Sequence, residues 1–319
     1  MDALAGLLDG VRARGAFVLR LSLEPPWSMR IQDDAPLTLI CQTHGTGVIV
    51  PDAGAPVELA PGDIVLARGT GHYVFADHPA TPPQVIIHPG QRCTTPAGQD
   101  LRFEMAVGVR TWGNSASGSC RAVIGAYEGR SVVSARLLDV LPSLAVLRAG
   151  ESDTALVELL TAEAGRDRSG QEAYLDRIVD LLLIGALRSW FDRDGNAPAW
   201  WQAERDDVVG PALRLIHHKP EHPWTVANLA VAVGCSRATL ARRFTDLVGE
   251  PPIAFLTNWR LALAADLLGA GPDTIAAVAR AVGYSSPFAL SIAFKRTYGV
   301  SPNAHRRRAN GPPAAHRSR

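Results

Sequence analysis

The stretch GCSRATLARRF at Gly234–Phe244 returns about fifty residues later as GYSSPFALSIAF at Gly283–Phe294. A chain that writes one unit twice must fold it twice, which confines the last third of these 319 residues to two copies of one small motif. Ala230 and Ala279, Gly234 and Gly283, and Ser236 and Ser285 are each 49 apart. Leu240 and Leu290, Phe244 and Phe294, Gly249 and Gly299, and Pro252 and Pro302 are each 50 apart. One residue is therefore inserted just before the long helix of the second copy.

The residue types are those of a helix-turn-helix, at about 226–247 and again at about 274–297. Small Ala residues let the first helix approach the second, and Gly at the turn adopts positive φ without penalty. Ser236 and Ser285 stand at N-cap positions, Thr225 caps the preceding helix, and Asp273 or Thr274 does so in the second copy. Leu240, Phe244 and Leu247 share one face of the first long helix and predict its buried side. Ala238, Ala241, Arg242 and Thr245 fall opposite, where a recognition helix meets a major groove. Arg242 has the donor fork that matches a guanine edge, while Arg237 and Arg243 flank it and are expected on phosphates. In the second copy Ile292 replaces Arg242, leaving Ser291 and Lys295 on that side, so this copy is expected to be the weaker reader.

Charge agrees with a polyanionic partner, double-stranded DNA. From Asp206 onward there are 14 Lys and Arg against 7 Asp and Glu, a balance of +7. The first 205 residues carry 18 against 24, a balance of −6, so the net charge of +1 conceals two opposite halves. The 47% hydrophobic and 20% charged content excludes wholesale disorder. The longest apolar run, Ile178–Leu187, is flanked by Arg177 and Arg188 and is too short for a bilayer, and Asp2 and Asp9 interrupt the start as a secretory leader would not. A cytoplasmic protein with no membrane partner is expected. The four cysteines show no CxxC spacing and signal neither a zinc site nor a disulfide framework.

The front of the chain is of another kind. Apolar runs at 37–42, 47–50, 56–59, 63–67, 72–76 and 84–88, separated by turn signals, predict antiparallel strands, and 102–112 and 120–128 add more. After Ser134 the segments 135–149, 154–167 and 171–193 show apolar spacings of three and four and predict amphipathic helices. The expected fold class is α+β multidomain: an antiparallel sandwich or β-barrel at 1–135, a helical linker or dimerisation segment at 136–205, an all-α domain with two helix-turn-helix units at 206–308, and a disordered basic tail at 309–319. The Leu-rich stripe of Leu175, Ile178, Leu182 and Leu183 serves either a dimer or interdomain surface or the domain's own core.

The run from Pro223 to Leu268 and that from Ile275 to Arg307, above all Gly283-Tyr284-Ser285, Phe294-Lys295-Arg296, Gly299 and Ser301-Pro302, resemble the DNA-binding domain of the AraC/XylS transcription factors. The resemblance implies that one long helix, roughly Pro252–Leu268, joins two units that enter successive major grooves. It also implies RNA polymerase as a partner, leaves a homodimer open, and makes activation common. Two residues depart from the family pattern: Ile292, where a polar or basic residue is usual, and His305, where Tyr is usual. Pro56–Asp77 resembles the second half of a cupin, with strand, Pro-Gly-Asp turn, strand and Gly-x-x-His, and many such regulators use that barrel to sense a small molecule.

A metal-binding cupin needs two His separated by one residue, a Glu and a further His. Here His72 stands near the last position and His44 is the nearest upstream candidate, so no cofactor or metal is expected and a cupin metalloenzyme fused to a DNA-binding domain is disfavoured. Cys93 and Cys120 each neighbour an arginine that favours thiolate, so a thiol redox sensor is the alternative to a small-molecule sensor. The expected protein is a sequence-specific transcriptional regulator rather than an enzyme. DNA is met by Arg237, Ala238, Ala241, Arg242, Arg243, Ser291, Ile292 and Lys295, and the unknown small-molecule effector or redox signal by His44, His72, Cys93 or Cys120.

Overall fold

The computed structural model describes residues 17–69, 71–127, 138–193 and 195–309. The chain divides into two compact units, one holding described residues up to Asn196 and the other beginning at Ala197. The opening MDALAGLL segment and residues 310–319, which include nearly all of the expected tail, lie outside the described residues.

The first unit contains thirteen strands among its described residues: β1 (Phe17–Leu23), β2 (Ser28–Ile31), β3 (Leu37–His44), β4 (Gly47–Pro51), β5 (Val57–Leu59), β6 (Ile64–Arg68), β7 (Tyr73–Ala76), β8 (Val85–His88), β9 (Arg92–Thr94), β10 (Ala106–Gly108), β11 (Thr111–Trp112), β12 (Cys120–Tyr127) and β13 (Leu144–Leu147). They form one sheet in the order β10-β11-β1-β12-β3-β6-β13 and a second in the order β5-β4-β7-β2-β8-β9. Leu21, Ile40 and Val65 from the first sheet and Met29, Ile49 and Phe75 from the second enter a single core, as the inner faces of a sandwich-like barrel do. The Pro-Gly-Asp turn is held by its acid. Asp63 is 3% exposed and accepts from the N–H groups of Ala60 and Ala149 and from Arg148 at 2.8 Å.

Two features differ from expectation. β1 and β2 occupy a stretch for which turn spacing predicts no strand. Leu144–Leu147, expected within a helix, is β13, and it completes the first sheet beside β6. Its apolar residues fit a three–four spacing and an alternating one equally, and Ala145 and Leu147, both 0% exposed, show that alternation won. An unpaired β6 edge gains a partner by this choice.

α1 (Thr154–Ala164) and α2 (Gln171–Phe191) follow and pack on this barrel. A Cβ added at Gly125 of β12 would lie 3.2 Å from Val179 of α2, and Tyr127 donates its hydroxyl to the Val179 carbonyl at 3.1 Å. Leu175, Ile178, Leu182 and Leu183 are all buried inside the unit, so the stripe serves core rather than dimer surface. The boundary expected at 135/136 thus separates elements that fold together, and the segment expected as a linker belongs largely to the barrel unit.

The second unit is helical: α3 (Ala199–Ala203), α4 (Val209–His218), α5 (Val226–Ala232), α6 (Arg237–Val248), α7 (Pro252–Ala270), α8 (Ile275–Ala281), α9 (Pro287–Tyr298) and α10 (Pro302–Ala309). α7 is long and apolar enough to cross a bilayer by length and composition, which the apolar-run reading missed. Its side chains are used inside the domain. Phe255 meets Phe244 edge-on with ring centroids 5.7 Å apart, and Trp259 lies against His217 at 4.6 Å. Further along, Leu261, Ala264, Ala265 and Leu268 join Val278, Leu290 and Phe294 in the core of the second repeat. One helix thereby contributes to the core of both repeats.

Candidate nucleic-acid interface

Each repeat is closed by the same local bonds. Thr225 and Asn228 form a reciprocal capping box at α5, and Thr274 accepts from Ala277 N–H at α8. The chain then turns through Gly234, φ 71°, and Gly283, φ 80°. Cys235 N–H reaches the Ala230 carbonyl at 3.0 Å, and Tyr284 N–H reaches Ala279 at 2.8 Å. The next residue in the first copy, Ser236, caps α6 by accepting from Thr239 N–H at 3.1 Å. In the second copy Ser286, not Ser285, caps α9, accepting from Ala289 N–H at 3.1 Å. Ser285 is the inserted residue. Two adjacent serines are equivalent in composition, and only the helix start decides which one caps.

The long helices bury most of the faces their spacing predicts: Leu240 and Phe244 of α6, and Leu290 and Phe294 of α9, are all 0% exposed, whereas Leu247, expected on the buried side of α6, is only half-buried near the helix end. Arg237, Ala238, Arg242 and Thr245 are exposed on α6 and Ala241 is half-buried. Arg243 is engaged elsewhere. Its guanidinium pairs with Asp206, which also accepts from the N–H groups of Val208 and Val209 at 2.9 and 2.8 Å and so caps the start of α4. Burial raises the Asp206 pKa, but the two backbone donors and Arg243 outweigh it and hold the carboxyl below its usual value. Position 243 is one step along the helix from buried Phe244, so its side chain reaches the domain's own surface rather than an outward groove.

On α9, Ile292 and Lys295 are exposed, whereas Ser291 donates its hydroxyl to the Pro287 carbonyl at 2.8 Å. Phe288, one turn before Ile292 and at the register of Ala238, was missing from the sequence-derived face. It is 74% exposed and Ile292 is 54% exposed. The repeat alignment alone could have found it. His305 meets Phe294 edge-on with ring centroids 5.4 Å apart, so this departure from the family pattern is a packing contact.

Arg260 of α7 fixes the two repeats to one frame. Its Nε and Nη2 donate to the Pro220 and His222 carbonyls at 2.6 and 2.7 Å. A Cβ at Gly283 would come within 2.6 Å of the Glu221 carbonyl oxygen in the same loop, so only Gly allows this approach.

The sensor candidates are dispersed. His72 contacts Asp34 at 3.3 Å before β3 begins, whereas His44 ends that eight-residue strand. A strand of this length separates them by roughly 25 Å. Among the described residues no three His, Cys, Asp or Glu side chains form a metal-binding group. Cys120, on β12, is 4% exposed and accepts a 3.3 Å contact from Gln42 Nε2, and Cys93 lies on β9 in the other sheet. Burial pushes the Cys93 thiol up to about 11, against a smaller lowering by Arg102, and also raises Cys120. The neighbouring arginines therefore do not produce the expected thiolates, because desolvation exceeds their field. The barrel unit does contain a half-open apolar pocket of about 250 Å3 between β2, β8 and the segment after β9, lined by Trp27, Met29, Val85, Leu101 and Met105. Beside it, Trp27 Nε1 and Ser28 Oγ are buried with no protein partner.

Two helix-turn-helix units built around one connecting helix define a DNA-binding protein of the paired class. The helix-turn-helix domain family matches residues 229–308, and the cupin family matches residues 2–192. Over 321 aligned positions the chain is 30% identical to a putative AraC-like transcription regulator of Streptomyces lividans, covering 98% of this chain and 100% of that one. It is 29% identical to the HTH-type transcriptional regulator MtrA of Neisseria gonorrhoeae, covering 96% and 98%. Among solved structures, the DNA-binding domain of AdpA in complex with a target DNA is 34% identical, covering 34% of this chain and 97% of that one with a TM-score of 0.31. The protein belongs to the AraC-like transcription regulators, with a cupin domain at its front.

Proposed function

We propose that this regulator is a cytoplasmic, sequence-specific DNA-binding protein whose barrel binds a small apolar molecule and thereby shifts the population of chains competent to dock both repeats on DNA. The observation that carries the sensor reading is the cavity beside Trp27 and Ser28. Its volume is below the roughly 300–1,000 Å3 of drug-sized sites, so the ligand is small. Two buried groups without protein partners favour one hydrogen-bonding group on that ligand, since an unpaired buried donor is costly. A ligand acts only by binding one state better than the other. The reading is non-catalytic, with RNA polymerase and a second copy of the chain as further partners. The exposed Tyr174 and Leu181 of α2, rather than its buried stripe, are where a second copy would dock.

The test begins with selection of the full-length protein against a random duplex library, followed by footprinting of the selected duplex. Protection over about two helical turns is expected. Thermal shift with a panel of small aromatic and medium-chain acids and alcohols then probes the barrel. A stabilising compound should change the footprint, and Met29→Trp, which fills the cavity, should abolish that response while leaving basal DNA binding intact. Selection of no sequence would overturn the DNA reading. A stabilising compound whose effect survives Met29→Trp would remove the cavity from the account.

A further inference from the structure

Resting on DNA docking by both repeats, we propose that the second repeat recognises thymine through its methyl group, using an apolar pair, Phe288 and Ile292, where the first repeat presents Ala238 and Arg242. Phe288 and Ile292 are four residues apart on α9 and so share one face. Their exposures, 74% and 54%, place two large apolar side chains in water on the face that the repeat register assigns to the groove. Phe288 is the second residue of α9, just after Pro287, and the N-terminal residues of a recognition helix are those that meet base edges.

Neither side chain can hydrogen-bond a base. Of the groups on the major-groove edges, the thymine C5-methyl is the one large apolar group, the cytosine C5–H being far smaller, and contact with it is the readout open to such side chains. Over guanine or cytosine the same pair would strip water from polar groups without replacing the bonds, so it selects against them as well as for thymine. The surroundings suit a polyanion rather than an apolar protein partner. Arg280 of α8, Lys295 and Arg296 of α9, and Arg307 and Arg308 of α10 are exposed, and α9 contains no acidic residue. The basic groups hold phosphates and set register, and the apolar pair supplies discrimination. The operator then has two chemically different halves: one with guanine opposite Arg242, and one with thymines opposite Phe288 and Ile292.

Full-length protein and a duplex taken from the random-library selection test this directly. Arg242→Ala identifies the half read by α6. Deoxyuridine, which differs from thymidine only by the methyl, is then substituted position by position. In the half read by α9, loss of a contacted methyl should weaken binding about three- to fourfold, the value of one apolar carbon removed from water. In the half read by α6, outside any contacted thymine, it should change nothing. Phe288→Ala and Ile292→Ala should each abolish the thymine-over-uracil preference at one contacted position, binding the thymine duplex there with the affinity of wild type for uracil, while the preference at the other side chain's position persists. Both positions are exposed, so the variants are expected to fold, and unchanged melting temperatures would verify this. Equal wild-type affinity for thymine and uracil duplexes in a protein that still selects a sequence would overturn this inference and leave the proposed function standing. So would equal weakening of both duplexes by Phe288→Ala. If no sequence is selected at all, the proposed function fails first, and this inference with it.

Discussion

Arg242 and Arg243 are neighbours in sequence and have different tasks. Arg242 is exposed on the outer face of α6, whereas Arg243 is paired with Asp206. Arg242→Ala is expected to cost about 1–3 kcal/mol of binding and to relax preference at one base pair, as competition assays against single-position variants of the selected duplex would show. A uniform loss across sequences would instead make Arg242 a phosphate contact. Arg243→Ala should act on the fold. The folded Asp206 carboxyl lies below its ordinary value, so its contribution to stability is present above the unfolded pKa, near about 4, and is lost as pH falls through the folded pKa. Urea titrations from neutral to acidic pH should show that loss in wild type. Asp206→Asn should be less stable at neutral pH and show a shallower acid limb; an unchanged limb would mean another carboxylate governs it.

At the scale of the element, the repeats are alike in their bonds and unlike at two joints. Ser286→Ala removes the cap of α9 and should cost about 1 kcal/mol. Ser285→Ala, at the inserted residue, should stay within about 0.5 kcal/mol. The turn glycines differ in the same way. Both have positive φ, but a Cβ at Gly234 meets nothing within 4 Å, whereas one at Gly283 meets the Glu221 backbone. Gly234→Ala should therefore carry only the left-handed backbone cost, about 1–2 kcal/mol, and Gly283→Ala distinctly more. Chemical denaturation of the two variants side by side checks the order, and equal losses would show that the Glu221 loop moves aside.

For the whole molecule, burial in the barrel keeps its thiols protonated, which predicts slow reaction with oxidants and alkylating agents. Cys41 is fully enclosed and pushed up to about 12, and Cys93 to about 11. At neutral pH little thiolate forms, so iodoacetamide labelling of Cys93 in the folded protein should be slow and should rise steadily with pH beyond 9. Fast labelling at pH 7 would restore the redox reading. The packing of α2 explains why its Leu175, Ile178, Leu182 and Leu183 stripe is not offered to a partner: that face covers the outer side of β12.

The repeat, its buried positions apart from Leu247, three of its four caps and the +7 balance were legible along the chain, because each depends on residues a few positions apart or on a simple count. The resemblance to AraC-like regulators rested on the same local spacings, and family matches over most of the chain bear it out. Other features were decided only in three dimensions. Leu144–Leu147 became a strand because β6 lacked a neighbour, and Arg243, expected on a phosphate, is paired instead because Asp206 lies beside it. Burial raises the Cys93 and Cys120 thiols despite their neighbouring arginines, because desolvation depends on every atom that surrounds a thiol, not on the adjacent arginine. Periodicity records which face of an element is apolar; strand pairing, ion pairing and burial depend on partners distant in sequence, which the chain brings together only by folding.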